Sequence, residues 1–175
     1  KNLWQYGKSA EEVLLPLMQK SDIVFGSGGE YQKALGLEAP PFTAGSKSDS
    51  IDAEAFEAFC KKAAGLLPRC KYMFMALRNA ITSEHHCLAG VLYSGGKLRT
   101  TRVFEVNNVV DSMGVGDAFV GAMLYAYQNY ADDQRKLDFA MAGSALKNTI
   151  VGDYNMVTVS EVEQLIKGGS AEMKR

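Results

Sequence analysis

Long apolar runs are missing from this sequence. The most extended, Val13 to Leu17 and Tyr72 to Leu77, fall far short of the roughly 20 residues that cross a bilayer, and the N-terminus has no signal-peptide apolar stretch. Cysteine is scarce as well: Cys60, Cys70 and Cys87 are an odd number without C-x-x-C spacing, which fits a reduced compartment better than a disulfide framework or a zinc site. A soluble, cytoplasmic protein is expected. There is also no excess of either charge. Nineteen Lys+Arg against twenty Asp+Glu leave a net charge of −1, too little basic character to hold a polyanion by its phosphates, so neither nucleic acid nor membrane is expected as a partner. An initiating Met is absent too: the chain starts Lys1-Asn2-Leu3, so residues upstream are expected to be missing. Apolar material is ample. With 47% hydrophobic and 22% charged residues, 175 residues can fill one sizeable core, which excludes intrinsic disorder.

The periodicities alternate between helix and strand. Ser9 followed by Glu11 and Glu12 reads as a capped start to an amphipathic helix carrying Val13, Leu14, Leu17 and Met18, with an irregularity expected at Pro16. Asp22 to Gly26 reads as a buried strand, Glu30 to Leu35 as a short helix ended by Gly36, and Glu38 to Ser50 as an exposed loop. Asp52 then caps a helix to Leu67 with Phe56, Phe59, Cys60 and Ala63 on one face, and Lys71 to Leu77 is a second buried strand. His86 to Tyr93, Ser94-Gly95-Gly96 and Lys97 to Val106 read as a hairpin, with Leu98, Thr100, Arg102, Phe104 and Val106 sharing one face of its second arm. Three helices follow, over Asp117 to Tyr130, Gln134 to Thr149 and Ser160 to Lys167. This succession implies one α/β layered domain, 1–175, with a mainly parallel sheet flanked by helices and a hairpin at or near one edge.

The stretch from Asn107 to Phe119 carries the chemistry, because a strand enters a Gly-rich turn that opens directly into a helix. Gly114 and Gly116 allow close backbone approach, and the unpaired first N–H groups of a helix attract anions. Asp117 stands where a bound phosphate would repel it. A carboxylate there could take the proton of an attacking hydroxyl while the turn's amides stabilise a transferring phosphoryl group; equally, it could simply cap the helix. The spacing is neither a Walker loop, since no Lys-Ser/Thr follows the last Gly, nor a dinucleotide fingerprint. His85-His86 beside Cys87 reads as no metal site, because adjacent strand residues face opposite ways and no carboxylate pair lies at ligand spacing.

Asp111-Ser112-Met113-Gly114-Val115-Gly116-Asp117-Ala118-Phe119, continuing through Gly121-Ala122-Met123-Leu124, resembles the second signature of the ribokinase-like (pfkB) carbohydrate kinases. Phe139 to Lys147 and Gly152-Asp153-Tyr154-Asn155 resemble that family's nucleotide-side helix and loop. Met75-Ala76-Leu77-Arg78, Leu92-Tyr93 and the Gly168-Gly169-Ser170 tail are most similar to its 2-keto-3-deoxygluconate kinases. The resemblance implies a ribokinase-like fold of which this chain is the C-terminal half, and ATP-dependent phosphorylation of a sugar or sugar acid with ATP and Mg2+. By the same resemblance Asp117 is the base, and the peptides of Gly114, Val115 and Gly116 form the anion hole. Glu30 helps organise Mg2+, Arg78, Asn148 and Gly152 meet the nucleotide, and Asp111 with the loop at Val151 and Gly152 matches a monovalent-cation (K+) site. Two positions depart from the pattern: Val115 replaces a small residue, and Ser27 stands where Asn-x-x-Glu has its Asn. A chain cut at this point would expose a sheet edge, so self-association into a homo-oligomer is expected. The competing reading is a non-catalytic nucleotide-binding or interaction module, a degenerate or truncated relative.

Overall fold

The computed structural model describes residues 7–44 and 51–169. The start at Lys1, the second half of the Glu38 to Ser50 loop and Ser170 of the tail lie outside those residues. The elements run α1 (Ala10–Met18), β1 (Ile23–Gly26), α2 (Gly28–Leu35), α3 (Ala53–Leu66), β2 (Tyr72–Ala80), β3 (His86–Ser94), β4 (Lys97–Thr100), β5 (Phe104–Val106), α4 (Val115–Asn129), α5 (Asp133–Lys147) and α6 (Val159–Ile166).

The five strands form one sheet in the order β1-β2-β3-β4, with β5 pairing further along β3. Helices cover both faces. Even-numbered side chains of the central strands, Phe74, Leu88 and Leu92, join residues of α4, α5 and α6 in one apolar cluster, while Met73, Met75, Leu77, Ala89 and Val91 pack with α2 and α3 in the other. This explains why His86 to Ser94 reads as an almost continuous apolar run: a strand covered on both faces has no side to leave polar. Close packing of α4 on α5 depends on Gly143, where an added Cβ would come 2.9 Å from that of Ala122.

The sheet is mixed rather than mainly parallel. Among the described residues only β1 and β2 run parallel; β2–β3, β3–β4 and β3–β5 are antiparallel. The reason is connection length: β2 ends at Ala80 and β3 begins at His86, and so short a link cannot carry the crossover that parallel neighbours need. The hairpin does occupy an edge, through β4. Its second arm is broken at Thr101, whose Oγ1 accepts from the Gly90 amide at 2.9 Å while its own amide donates to the Gly90 carbonyl at 3.0 Å. That side chain usurps a ladder position, and the residues expected on one face divide there: Leu98 packs on the α2/α3 side, Phe104 and Val106 on the α4–α6 side, with the Arg102 guanidinium 4.3 Å over the Phe104 ring and donating to the Leu165 carbonyl at 2.8 Å.

Helix starts follow capping chemistry. Ser9 and Ser27 each form a reciprocal capping box, with Glu12 and Glu30, and Asp52 caps α3 through the Ala55 amide. The Ser27 box starts α2 at Gly28, two residues before Glu30. Pro16 falls inside α1, which continues to Met18. This helix buries no residue fully and leaves Leu17 59% exposed, with Leu15 and Met18 turned to the core instead. At the opposite side of the sheet from β4, β1 is an edge strand among the described residues, and its Phe25 is 43% exposed. None of the described helices is long and apolar enough to cross a membrane.

Candidate active site

From the end of β5 the chain turns into α4 at the C-terminal ends of β1 and β2's parallel pair. Gly114 is the N-cap of α4 and adopts a left-handed conformation, φ 72°, with no side chain capping the helix among the described residues. The first intrahelical donor is the Ala118 amide, which reaches the Gly114 carbonyl at 2.8 Å, so the amides of Val115, Gly116 and Asp117 precede the helical ladder and remain to be satisfied by something else. Asp117 is therefore the third residue of the helix and not its cap. Its carboxylate is exposed at the helix's positive end.

Glycine is required at one of the two turn positions only. A Cβ on Gly114 would lie 2.2 Å from the Asp153 carbonyl oxygen, so backbone packs directly on this residue. At Gly116 an added Cβ meets nothing within 4 Å.

A cleft of about 490 Å³ unites Glu30, Arg78, Val115, Gly116 and Asp117, candidates from three separate regions of the sequence. Ser27 and Ser112 add hydroxyl groups to it. Asp117 also lines a second cleft of about 430 Å³ between α4 and the segment leading into α6. Glu30 uses Oε2 to accept from the Ser27 amide at 2.6 Å, which fixes the carboxylate at the cleft wall. The Ser27 departure from Asn thus has a structural job of its own, as the cap of α2.

The remaining selected residues stand behind the cleft as its support. Asp111 accepts from the Met113 amide through Oδ1 and from the Gly152 amide through Oδ2, both at 2.9 Å, and so ties the glycine turn to the 149–153 loop. These two backbone hydrogen bonds, Met113 first, hold its carboxyl below the ordinary value of 3.8. Asn148 is wholly buried: its Nδ2 donates to the Ser144 carbonyl, and its backbone carbonyl accepts from the Val110 amide at 2.8 Å. Gly152 faces solvent with φ 81° and lines neither of the two clefts, its amide being committed to Asp111.

Two supporting residues escaped the sequence reading. Ser144 donates its hydroxyl to the Val115 carbonyl at 3.0 Å and so pins the first residue of α4. Lys147 is wholly buried, and its ammonium donates to the Ile150 carbonyl at 3.0 Å while adding to the field that favours the Asp111 carboxylate. At the place expected for a monovalent cation, each Asp111 oxygen accepts one amide and the Ile150 carbonyl accepts the Lys147 ammonium. A polar residue within the apolar stretch of α5 is the signal that would have pointed to Ser144, whereas Lys147, the helix's last residue, stands where a basic side chain is ordinary.

Comparison with known proteins bears on this arrangement. The pfkB family carbohydrate kinase pattern matches residues 88–158, a span that holds the whole turn, α4 and α5. That span, under half of the chain, resembles the pfkB kinases. Over 81 residues the chain is 41% identical to the 2-dehydro-3-deoxygalactonokinase of Haloferax volcanii, an alignment covering 46% of this chain and 25% of that protein. The pfkB likeness extends to structure: 2-dehydro-3-deoxygluconokinase from Thermotoga maritima superposes with a TM-score of 0.78 at 26% identity, over 91% of this chain and 45% of that one. An Escherichia coli ribokinase II in complex with ATP and Mg2+ superposes with a TM-score of 0.60 at 23% identity, over 89% of this chain and 42% of that one. The fold is ribokinase-like, and the chain spans less than half the length of each of these three proteins.

Proposed function

We propose that this chain is the C-terminal, nucleotide-binding part of an ATP-dependent sugar kinase that phosphorylates 2-keto-3-deoxygluconate or a closely similar sugar acid. The observation that carries the reading is Asp117: an exposed carboxylate at the open start of a helix, capping nothing, beside amides without intrahelical partners. A helix end that attracts anions and yet holds an acid is arranged for a reaction in which a phosphoryl group and a proton donor meet.

In that reaction the Asp117 carboxylate takes the proton of the sugar hydroxyl, the hydroxyl oxygen bonds to the γ-phosphorus, and the bond from that phosphorus to the β–γ bridging oxygen breaks to release ADP. The amides of Val115, Gly116 and Asp117 donate to the equatorial oxygens of the moving phosphoryl group. Gly114 contributes the turn conformation that aims them. Arg78, on the opposite wall of the cleft, faces the phosphate chain with a guanidinium suited to paired contacts. Glu30, its carboxylate fixed by the Ser27 amide, fits a hydrated Mg2+, which would neutralise phosphate charge when bound. At the place expected for K+, the Lys147 ammonium supplies the positive charge. Asn148 and Gly152 support the loop. A reaction drawing on ATP belongs in the cytoplasm, and the open edge of β1 is the surface through which copies of the chain would associate.

Replacement Asp117→Asn in the complete protein tests the assignment. Phosphoryl transfer to 2-keto-3-deoxygluconate and to 2-keto-3-deoxygalactonate should fall about 10²–10⁴-fold, the usual contribution of a general base, with MgATP affinity by calorimetry changed less than about threefold. Substantial residual turnover removes Asp117 from the role of base.

A further inference from the structure

Away from the cleft, three donors of different chemistry converge on the α2/α3 face of the sheet. Cys87 on β3 is paired directly opposite Glu105 on β5, so both side chains leave the same face, and His85 stands two residues before Cys87 on that face. One ligand atom from each of His85, Cys87 and Glu105 lies within 4.8 Å of the other two, and His85 Nε2 is 2.8 Å from Glu105 Oε1.

The backbone that carries them is well held. The His85 amide donates to Thr82 Oγ1 at 3.0 Å, the His85 carbonyl accepts from the amides of Ile81 and Thr82, and the Glu84 carbonyl accepts from Val109 at 2.9 Å. Cys87 is 1% exposed, whereas His85 and Glu105 reach solvent, so an ion can enter from the imidazole and carboxylate side and meet the sulfur at the bottom.

We propose that His85, Cys87 and Glu105 form a binding site for a zinc-class divalent ion, with water as the fourth ligand. The donor set selects the metal: imidazole nitrogen, thiolate and carboxylate suit Zn2+, whereas Mg2+ prefers oxygen ligands and near-octahedral geometry. Tetrahedral ligation needs donor separations of about 3.3–3.6 Å, which follow from Zn–N, Zn–O and Zn–S bonds of roughly 2.0–2.3 Å. The imidazole and carboxylate, 2.8 Å apart, open by about half an ångström to reach this range, and the Cys87 sulfur, within 4.8 Å of both, closes by up to about 1.2 Å through rotation of the side chains. Binding releases the thiol proton to solvent and leaves the imidazole proton on Nδ1, and one thiolate plus one carboxylate then balance the ion's two charges. The site ties the start of β3 to β5 just before the chain enters the glycine turn. It shares no residue with the cleft and does not depend on the kinase reading.

Cobalt reports on this site directly. The protein, reduced and freed of metal by a chelator, is titrated with Co2+ and the spectrum recorded. Expected are a sulfur-to-cobalt charge-transfer band in the near ultraviolet and ligand-field bands of tetrahedral intensity, both lost on adding one equivalent of Zn2+. Glu105→Gln and His85→Ala, at partly exposed positions that the fold tolerates, should each weaken Co2+ binding at least tenfold, and Cys87→Ser should remove the charge-transfer band. Cys60→Ser and Cys70→Ser should leave the spectrum unchanged. A weak octahedral spectrum without the sulfur band, or tetrahedral binding indifferent to Glu105→Gln and His85→Ala, overturns the proposal.

Discussion

Substituting alanine at each of the two turn glycines separates what the fold requires from what a ligand requires. At Gly114 the new Cβ would sit 2.2 Å from the Asp153 carbonyl oxygen and 2.9 Å from its carbonyl carbon, and φ is +72°. Adopting the left-handed conformation costs a non-glycine residue about 1–2 kcal/mol. Relieving the clash means moving backbone by roughly 1 Å, and strain of that kind costs about 1–3 kcal/mol. The sum is about 2–5 kcal/mol, with the Asp111 bridge to Gly152 as the contact that gives way first. At about 2–4 °C per kcal/mol for a domain of this size, the melting temperature of Gly114→Ala should drop by at least roughly 4 °C. Gly116→Ala has the opposite sign. Its Cβ meets no atom and its backbone is helical, so the substitution should stabilise α4 by about 0.5–1 kcal/mol. Calorimetric melting and MgATP titration on both variants decide the matter: Gly114→Ala loses stability and binding together, while Gly116→Ala gains stability and loses affinity only as far as its methyl obstructs the phosphates. A Gly114→Ala protein with unchanged melting, or a Gly116→Ala protein that melts lower, would refute the reasoning.

Two further outcomes follow from the loop behind the turn. Lys147→Met leaves the Ile150 carbonyl without its ammonium partner and should destabilise by about 1–3 kcal/mol, while exchange of Na+ for K+ should change MgATP affinity of the unaltered protein less than twofold; a strict K+ requirement would show that Lys147 does not stand in for the cation. Because the carboxyl of Asp111 is lowered in the folded chain, its contribution to stability is complete above its ordinary value of 3.8 and disappears as pH falls through the folded-state value below it. The Met113 and Gly152 amide resonances should therefore shift together with a midpoint under 3.8, and separate midpoints, or a common one above 3.8, would contradict the bridge.

Much of the fold could be read from local patterns because each local signal agreed with its surroundings. Asp52 with the Phe56, Phe59, Cys60 and Ala63 stripe specified α3 almost to the residue, and the double glycine at 95–96, both with positive φ, closed the hairpin where expected. Strand direction was harder. Two apolar runs flanked by helices suggest parallel neighbours, and only the short 81–85 link distinguishes the antiparallel pair actually formed. The break at Thr101 was invisible for a different reason: a threonine hydroxyl replacing a backbone acceptor leaves the alternation of residue types intact.

The cleft residues and their supports differ in legibility for a physical reason. Asp117 and the turn glycines stand out because each violates what its position would otherwise favour, an acid where anions bind and glycine before a helix, whereas Glu30 is ordinary capping-box chemistry after Ser27 and is singled out only by the family resemblance. The residues that hold them in place carry at most a faint local mark, such as the polar Ser144 within the apolar stretch of α5, and nothing local names their partners. Ser144 reaches Val115 across 29 positions and Gly152 reaches Asp111 across 41, and neither distance leaves a trace in composition or period. The same holds for His85, Cys87 and Glu105. Read along the chain, two imidazoles beside a thiol are discounted because neighbours on a strand point apart. Across the sheet, the i, i+2 pair keeps to one face, and the register of β3 on β5 delivers the carboxylate that the linear spacing lacks. Pairing register is therefore the piece of information that converts a row of ordinary residues into a set of converging donors, and it is fixed by packing on both faces of β3 rather than by any motif within it.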